Sequence, residues 1–514
     1  MRTALALIFA GIGLVVAPQP GLDVLITNAR ILDGTGNPWL RGDIGIRGDR
    51  IAAVGRLTGT PATLVIDAAD RVVTPGFIDV HSHALESITR GELRDARPLI
   101  AQGVTTVVGN PDGGGPVDLA RQRAGIEAEG GVGVNIALLI GHGSVRSAVM
   151  GPAQRAPSAD ELARMKTLIK QGVADGAFGL SSGLFYTPGR YAKTEEVIAL
   201  AREAGGVYTS HIRDEGNYDA GVVASVDEVI RIADEAHVIG IVSHMKALGP
   251  DSWGLSKTLV AHIDAARARG VAVFADQYPY EASSTSLSAA VLPDGGGAAA
   301  LRTAMADPVS RAKVLADAKE NIRRRGGPAS IVIASASGDR TLAGKNLDQI
   351  AKARTVAPDQ AAVDIIIAGG ASIVSFNMSE DDIRTIMRQP WTMASSDGGL
   401  SLPGPSVPHP RNNGAFARRL AVYVRERNVI SLEQAIRTMT SLPARVFGFA
   451  DRGELRPGAF ADVVIFDPVR VVDRATYTDP HQLAEGIDWV IVNGQVARRD
   501  GQFTGVRAGR VLRR

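Results

Sequence analysis

The chain has 514 residues, 45% of them hydrophobic and 58 of them glycine, enough for a large α/β barrel with at least one smaller domain. Lys plus Arg number 56 against 54 Asp plus Glu, and no block of like charge stands out, so neither a nucleic-acid partner nor a basic membrane-surface patch is expected. There is no cysteine, which excludes disulfides, thiolate metal ligands, a Cys nucleophile and a lipoprotein anchor.

In chain order, residues 1–20 read MRTALALIFAGIGLVVAPQP. Arg2 supplies a positive start, and Ala4 to Ala17 form an uncharged apolar run too short for a comfortable membrane span. The format is that of a signal peptide over 1–20, which predicts export to the periplasm or the medium with no stable membrane anchor. Val15 and Ala17 offer a small-residue cleavage pattern, although Pro18 follows it; the competing reading is an apolar N-terminal strand.

From 21 to 75 short alternating segments separated by Gly, Asp and Asn turns predict strands: LDVLITNARILDG, GDIGIRGDRIAAVG and TLVIDAADRVV. The same style resumes from 446 to 514, in GELRPGAFADVVIFDP and WVIVNGQVARRDG. The two ends are expected to form one small β-sandwich with the intervening chain inserted into it.

Between 76 and 445 apolar strands such as GVTTVVGN, VNIALLIGHG, GAFGLSSGLFY and VAVFADQYPY alternate with helices. Capping boxes are expected at Ser158 with Glu161, Ser225 with Glu228, and Ser431 with Gln434. After Ser158, Leu162, Met165, Leu168, Ile169 and Val173 share one helical face. The alternation predicts a parallel TIM-type (β/α)8 barrel, with a doubly wound sheet as the runner-up. Residues 288–370, including Gly295–Gly297, exceed one connection and predict an insertion before the last barrel strand that caps the site.

Five polar residues end four strand-like segments: His81 and His83 in PGFIDVHSH, His211 in VYTSHIRDEG, His244 in IVSHMKALG and Asp397 in WTMASSDGG. Strand ends of a parallel barrel converge on one face. Four imidazoles and a carboxylate gathered there suit zinc or a similar metal, and point to hydrolysis by an activated water. Asp79, His81 and His83 should share a face, as should His211 with Arg213 and His244 with Lys246. His237, His262 and His481 read as ordinary surface or core residues. The serines of SSG and SSD have no base beside them outside this cluster, which argues against a Ser–His–Asp hydrolase.

These segments, together with GVTTVVGN, GAFGLSSGLFY, SHMKALG, DQYPY, SSDGG and a late HPR, resemble the amidohydrolase superfamily and, within it, the N-acyl-D-amino-acid deacylases (D-aminoacylases). The resemblance runs through the barrel and its flanking strands. It implies that His81 and His83 hold one metal with Asp397 as ligand and proton shuttle, and that His211 and His244 hold a second. The family completes the second position with a cysteine after the GVTT strand. Counted from Gly103 its place falls on Asp112, and counted from Asn110 on Pro111, which cannot ligate; Asp112 is thus a candidate replacement ligand or simply a turn residue. The bridging lysine of many relatives has no counterpart in LSSG, so one zinc ion or two, or another divalent metal, are all open.

On the substrate side, Lys246 should face the same mouth as His244, and Tyr278 offers a neutral donor. The resemblance gives such a pair to the substrate α-carboxylate. Ser284, His142 and Arg213 are further candidates; the resemblance places Arg411 of HPR near the substrate, and Met378 in FNMSEDD matches a family segment or is core packing. The expected partner is a small N-acyl amino acid or peptide-like molecule. Another amidohydrolase activity (a cyclic amidase or dipeptidase) and a non-catalytic binding protein are the alternatives. Acyl and side-chain preference are not legible.

Overall fold

The computed structural model describes residues 21–293 and 297–514; residues 1–20, where a signal peptide is expected, and 294–296, within the expected insertion, lie outside the described residues. The chain opens with five strands, β1 (Leu22–Ile31), β2 (Leu40–Arg47), β3 (Arg50–Gly55), β4 (Ala62–Asp67) and β5 (Val72–Pro75). Barrel strands follow as β6 (Phe77–Asp79), β7 (Val104–Gly109), β8 (Asn135–Leu138), β9 (Ile140–Gly141), β10 (Gly179–Gly183), β11 (Val207–His211), β12 (Ile239–Val242) and β13 (Val273–Gln277). Next come β14 (Ala282–Ser286), β15 (Ile331–Ala336) and β16 (Ala371–Phe376), then β17 (Thr392–Ala394). The last four strands are β18 (Val463–Phe466), β19 (Ile487–Val492), β20 (Gln495–Arg499) and β21 (Gln502–Phe503).

The barrel is laid down in two parallel ladders, β6-β7-β8 and β9-β10-β11-β12-β13-β17. Only Leu139 separates β8 from β9, and a parallel bridge between Ser82 and Gly398 joins the first strand's exit to the last strand's. Successive side chains on a strand face opposite ways, and here they enter different cores. Ile78, Val80, Val108, Ala137, Leu139, Val207, Ile241 and Met393, from six strands, pack together in the interior. Their neighbours Phe77, Val107, Ile136 and Leu138 pack outward in the larger core that also holds helix residues such as Met165 and Ile169.

Strands from both chain ends join one nine-stranded mixed sheet, in the order β21-β20-β19-β18-β5-β1-β2-β3 with β4 beside β1. The sandwich is therefore built on a single hydrogen-bonded sheet. β18 shows how it is seated: Val463 and Ile465 enter the sheet domain's core, while Val464 and Phe466 enter the barrel's outer core. Burial on both faces explains its unbroken apolar run.

A third unit spans 282–376. Antiparallel β14-β16-β15 carries helices whose Leu301, Ile322, Ile350, Val363 and Ile366 form a separate core with Ile331, Ile333 and Ile373. It begins before residue 288 and ends after 370, because its outer strand is the polar run ASSTS, which shows no apolar alternation.

The three capping expectations meet the structure differently. Ser158 accepts from Glu161 N–H while Glu161 reaches back, a full capping box. Ser225 is already inside the helix Val222–Ala236; its hydroxyl donates to Gly221 O and accepts from Asp214 N–H. Ser431 caps its helix through Gln434 N–H. Among the described residues no helix is long and apolar enough to cross a membrane.

Candidate metal centre

The first and last barrel strands are tied together beneath the site. Ser396 donates to both oxygens of buried Asp79, through its N–H and its hydroxyl. Asp79 thus braces the strand pair and does not join the cluster. Above it Asp397 N–H donates to His81 O, and His83 N–H to Gly398 O, each at 2.9 Å. His244 N–H donates to Asp276 on the neighbouring strand at 2.9 Å, holding His244 at a φ of 36°. Asp397 (φ 49°) and Asp112 (φ 54°) are left-handed too. Such conformations are costly for ordinary residues and persist where surroundings over-determine them.

Asp112 sits in the PDGGG loop after β7. Ser181 clamps that loop, its hydroxyl donating to Asn110 O and accepting from Gly113 N–H. A Cβ on Gly183 would lie 2.3 Å from Asp112 O, and one on Gly141 2.2 Å from Gly114 O, so glycines at both places let the loop settle against the barrel rim.

The outcome is a convergent donor set. His81, His83, Asp112 and Asp397 each offer an atom within 4.8 Å of the others, and Asp112, His211 and His244 form a second such group. His81 Nε2 is 3.4 Å from Asp112 Oδ1 and 3.6 Å from Asp397 Oδ1. His83 Nε2 is 3.5 Å from Asp112 Oδ2 and 3.3 Å from Asp397 Oδ1. His244 Nε2 and His211 Nδ1 lie 3.6 and 4.0 Å from Asp112 Oδ1. Asp112, shared by both groups, is a turn residue and a convergent donor at once; Pro111 offers nothing.

His81 Nε2 and Asp112 Oδ1 are buried without a hydrogen-bond partner. Imidazole and carboxylate atoms that face one another unpaired fit a divalent cation, and the all-N/O set suits zinc, cobalt or manganese.

The electrostatics ask for positive charge. Burial works to raise the Asp112 carboxyl, but His81, His244 and His83 outweigh it and hold it well below its usual range. For Asp397 burial is outweighed by Arg411, His244 and His83, with the same result. Without metal the balance falls on protons. Burial lowers the His83 imidazole, yet Asp112 and Asp397 lift it well above its usual value. His211 and His244 touch at 2.9 Å; burial lowers the His211 imidazole, while for His244 burial and Lys246 are outweighed by Asp397 and Glu215, which raise it.

The cluster floors a cavity of about 1040 Å³ that Lys246, Tyr278, Ser284 and Arg411 also line. Lys246 is buried and bonded to Glu215, with His244 Nδ1 2.8 Å away. Arg411 Nη1 lies 2.7 Å from Asp397 Oδ2, and its backbone N–H donates to His409 Nδ1. Tyr278, neutral because burial keeps its phenol well above the usual range, lies beneath the Arg411 guanidinium and donates to Met378 Sδ at 3.5 Å. Met378 is packed in the core.

Two expected substrate residues lie elsewhere. His142 has no exposed surface and pairs with Glu196 at 3.0 Å. Arg213 forks onto Glu228 and donates to the carbonyls of Arg190 and Ala192. Glu228, on the helix Val222–Ala236, thus takes the guanidinium that alternation placed in the mouth. Conversely Glu215, Phe185, Tyr218, Arg325 and His409 line the cavity without having been singled out. Glu215 was the legible one, four residues past His211 in the same HIRDEG turn.

Residues 64–498 match the amidohydrolase family profile. The chain is 36% identical to the D-aminoacylase of Alcaligenes xylosoxydans xylosoxydans, with 96% of this chain and 98% of that one covered. It is 37% identical to the N-acyl-D-glutamate deacylase of the same organism, over 96% and 97%. The crystal structure of N-acyl-D-glutamate deacylase from Bordetella bronchiseptica, complexed with zinc and a phosphonate inhibitor, superposes with a TM-score of 0.82 at 37% identity, covering 96% of this chain and all of that one. With its barrel, split sheet domain and convergent His/Asp cluster, the chain belongs to the amidohydrolase family, in the company of the D-aminoacylases.

Proposed function

We propose that this protein is a zinc-dependent hydrolase of N-acyl-D-amino acids. The observation that carries the reading is the pair of donor groups meeting at Asp112 on the floor of a deep cavity. His81, His83, Asp112 and Asp397 would hold one ion, and Asp112, His211 and His244 a second. When bound, such an ion lowers the pKa of a water and polarises an amide carbonyl. Asp397 is placed to move the proton: Arg411 occupies its Oδ2, leaving Oδ1 toward His81 and His83 to accept from water and pass the proton to the leaving amine. Tyr278, as a neutral donor, and Lys246 at the inner wall would orient the substrate's α-carboxylate. Asp112 would stand where the family has a cysteine, giving a harder donor set that tolerates manganese or cobalt more readily.

Export is proposed on the strength of Arg2 and the apolar run after it; fractionation of cells expressing the full chain checks it. For the activity, the protein is stripped with a chelator, reloaded with zinc, and assayed on matched N-acetyl-D- and N-acetyl-L-amino acids. Turnover should vanish with the metal, return with zinc and favour the D series. Full activity in rigorously metal-free protein, or preference for the L series, would overturn the reading.

A further inference from the structure

A buried imidazole joins the cap to the carboxylate that would carry the proton. His409 is 2% exposed and lines the cavity, and both its ring nitrogens are engaged. Nδ1 accepts the Arg411 backbone N–H at 3.0 Å, which assigns the ring proton to Nε2, the donor to Ala282 O at 2.9 Å. Burial and the Arg411 guanidinium hold the imidazole well below its usual range, so the ring is neutral, as this pair of bonds requires. Neither nitrogen is free to exchange a proton with substrate. Three tyrosine rings fix the plane of the imidazole edge-on: Tyr280 at 5.1 Å, Tyr477 at 5.3 Å and Tyr278 at 6.1 Å.

The two bonds lead to different parts of the molecule. Ala282 opens β14, an edge strand of the cap sheet, and pairs with Phe376, so it lies at the root of the cap, where the unit leaves and rejoins the barrel. Two residues before His409, Val407 N–H donates to Ala334 O on β15, the other edge of that sheet, at 2.8 Å. In the opposite direction, Arg411 is the first residue of the helix Arg411–Arg418, and its N–H is one of those that a helix start leaves without a partner. His409 supplies that partner. Arg411 Nη1 lies 2.7 Å from Asp397 Oδ2, and Asn412 Oδ1 accepts the N–H of Gly399, two residues past Asp397, at 3.2 Å. The segment 407–412 is therefore stitched to both edges of the cap sheet at one end and to the shuttle carboxylate and its strand exit at the other.

We infer that His409 is a positioning residue that makes the seating of the cap and the placing of Arg411 on Asp397 a single event. The inference rests on the deacylase reading above, in which Asp397 carries the proton, and adds a residue that reading does not use. With β14 seated, Ala282 O fixes the ring, the ring fixes the helix start, and Arg411 takes Oδ2, leaving Oδ1 as the oxygen that meets water. With β14 displaced, the ring loses its anchor and the guanidinium its constraint. The shuttle is thus fully oriented only under a closed cap, and small misplacements of such groups are costly to turnover.

The test separates the two bonds. H409Q places an amide nitrogen near the position of Nε2 and keeps the donor to Ala282 O, but leaves the Arg411 N–H without its acceptor; H409N does the reverse. In zinc-loaded protein acting on N-acetyl-D-amino acids, H409Q should lower kcat about 10- to 100-fold with little change in KM. H409N, which frees the cap, should act mainly through KM, raising it about 10-fold, as expected for one buried hydrogen bond, with a smaller loss of kcat. In an R411M background H409Q should lower kcat no further, because its effect passes through Arg411. Lower melting temperatures with kcat and KM unchanged in both variants would make His409 a brace and overturn the inference. So would a loss in H409Q that adds in full to that of R411M. If the wild type hydrolyses no N-acyl-D-amino acid, the deacylase reading fails, and amide hydrogen exchange in metal-free protein decides the link by itself. Faster exchange at the start of the helix Arg411–Arg418 in H409Q, and across 282–286 in H409N, upholds it; unchanged protection in both removes it.

Discussion

Two buried imidazole–carboxylate clusters lie in the wall of this barrel, and only one is built to hold a metal. In the first, His142 Nε2 pairs with Glu196, whose other oxygen takes Arg146 at 2.5 Å, and Arg146 also donates to the carbonyls of Ala153 and Arg155. One carboxylate meets one guanidinium, and the cluster forms no group of three convergent ligands. In the second, the carboxylates Asp112, Asp397 and Glu215 face two fixed cations, Lys246 and Arg411, so a negative charge is left over. His142 Nδ1 is also unpaired. In the metal cluster, however, the unpaired His81 Nε2 and Asp112 Oδ1 confront each other. Histidines of equal burial are thus told apart by charge balance and convergence, and altering each cluster should produce a different kind of damage.

The largest effect is expected from Asp397→Asn. The amide keeps the shape and one acceptor oxygen but cannot carry the water's proton, so kcat should fall ~10²–10⁴-fold with folding retained. Single-turnover measurement on zinc-loaded variant checks it; a rate near wild type would assign the proton to another group.

Lys246→Met attacks the balance itself. It strands Glu215, whose carboxyl is otherwise raised by burial but held well below its usual range by Lys246 and the two imidazoles beside it. Breaking a buried pair on one side typically costs about 3–5 kcal/mol. The metal-free variant should show that loss, and the zinc-loaded variant a smaller one, because the bound cation then answers Glu215. Chemical denaturation with and without chelator separates the two. An equal loss in both states would mean that Lys246 does not share its counter-charge role with the metal. A carboxamide analogue of the substrate reports separately on any pairing with the α-carboxylate.

Asp112→Ala is milder. It removes the donor shared by the two groups but leaves two imidazoles and Asp397 at the first position. Metal affinity should drop about 10- to 100-fold, a loss of the size seen when a site's supporting carboxylates are removed. Bound metal per chain, measured after dialysis, checks this. Asp112→Cys should recover part of the loss by restoring the family's donor. An unchanged metal ratio in Asp112→Ala would reduce Asp112 to its turn role.

The same contrast explains how much was legible beforehand. Apolar strand segments such as β7 and β8 recurring between helices, and the turn-rich strand exits, made the barrel and its ring of ligands readable, since those signals are local and repeat. The cap's first strand was not readable, because ASSTS is polar and acquires its partner only through β16, far along the chain. Face parity assigned His81 and His83 to one mouth but misled at Arg213, whose guanidinium is taken by Glu228 on the following helix. Nothing local distinguishes His142 at the start of one helix from His83 at the start of another; Glu196, which settles His142, is 54 residues away. Arg325 was hidden for the same reason: its neighbours Arg323 and Arg324 are ordinary surface arginines, and only the fold shows which of the three turns inward.

The smallest expected effect belongs to the first cluster, and it should appear in stability alone. Burial raises the Glu196 carboxyl, but His142 and Arg146 outweigh it, so its folded-state pKa lies below the usual value of 4.5. A carboxylate depressed in this way stabilises the fold at pH values above its unfolded pKa, and the contribution is lost as pH falls through the folded one. Glu196→Gln keeps an acceptor for His142 or Arg146 but no charge, so the cost at pH 7 should be about 1.5 kcal/mol, the lower end for hydrogen bonds to charged groups. Because the variant has no proton to take up at this position, the gap between the two proteins should shrink on acidification from pH 5 toward pH 3. Thermal unfolding across that range measures it, and kcat at 25 °C should match wild type. A gap that stays constant with pH would mean that the amide fails for reasons of packing, and that the balance of charge inferred for this cluster is not what holds it.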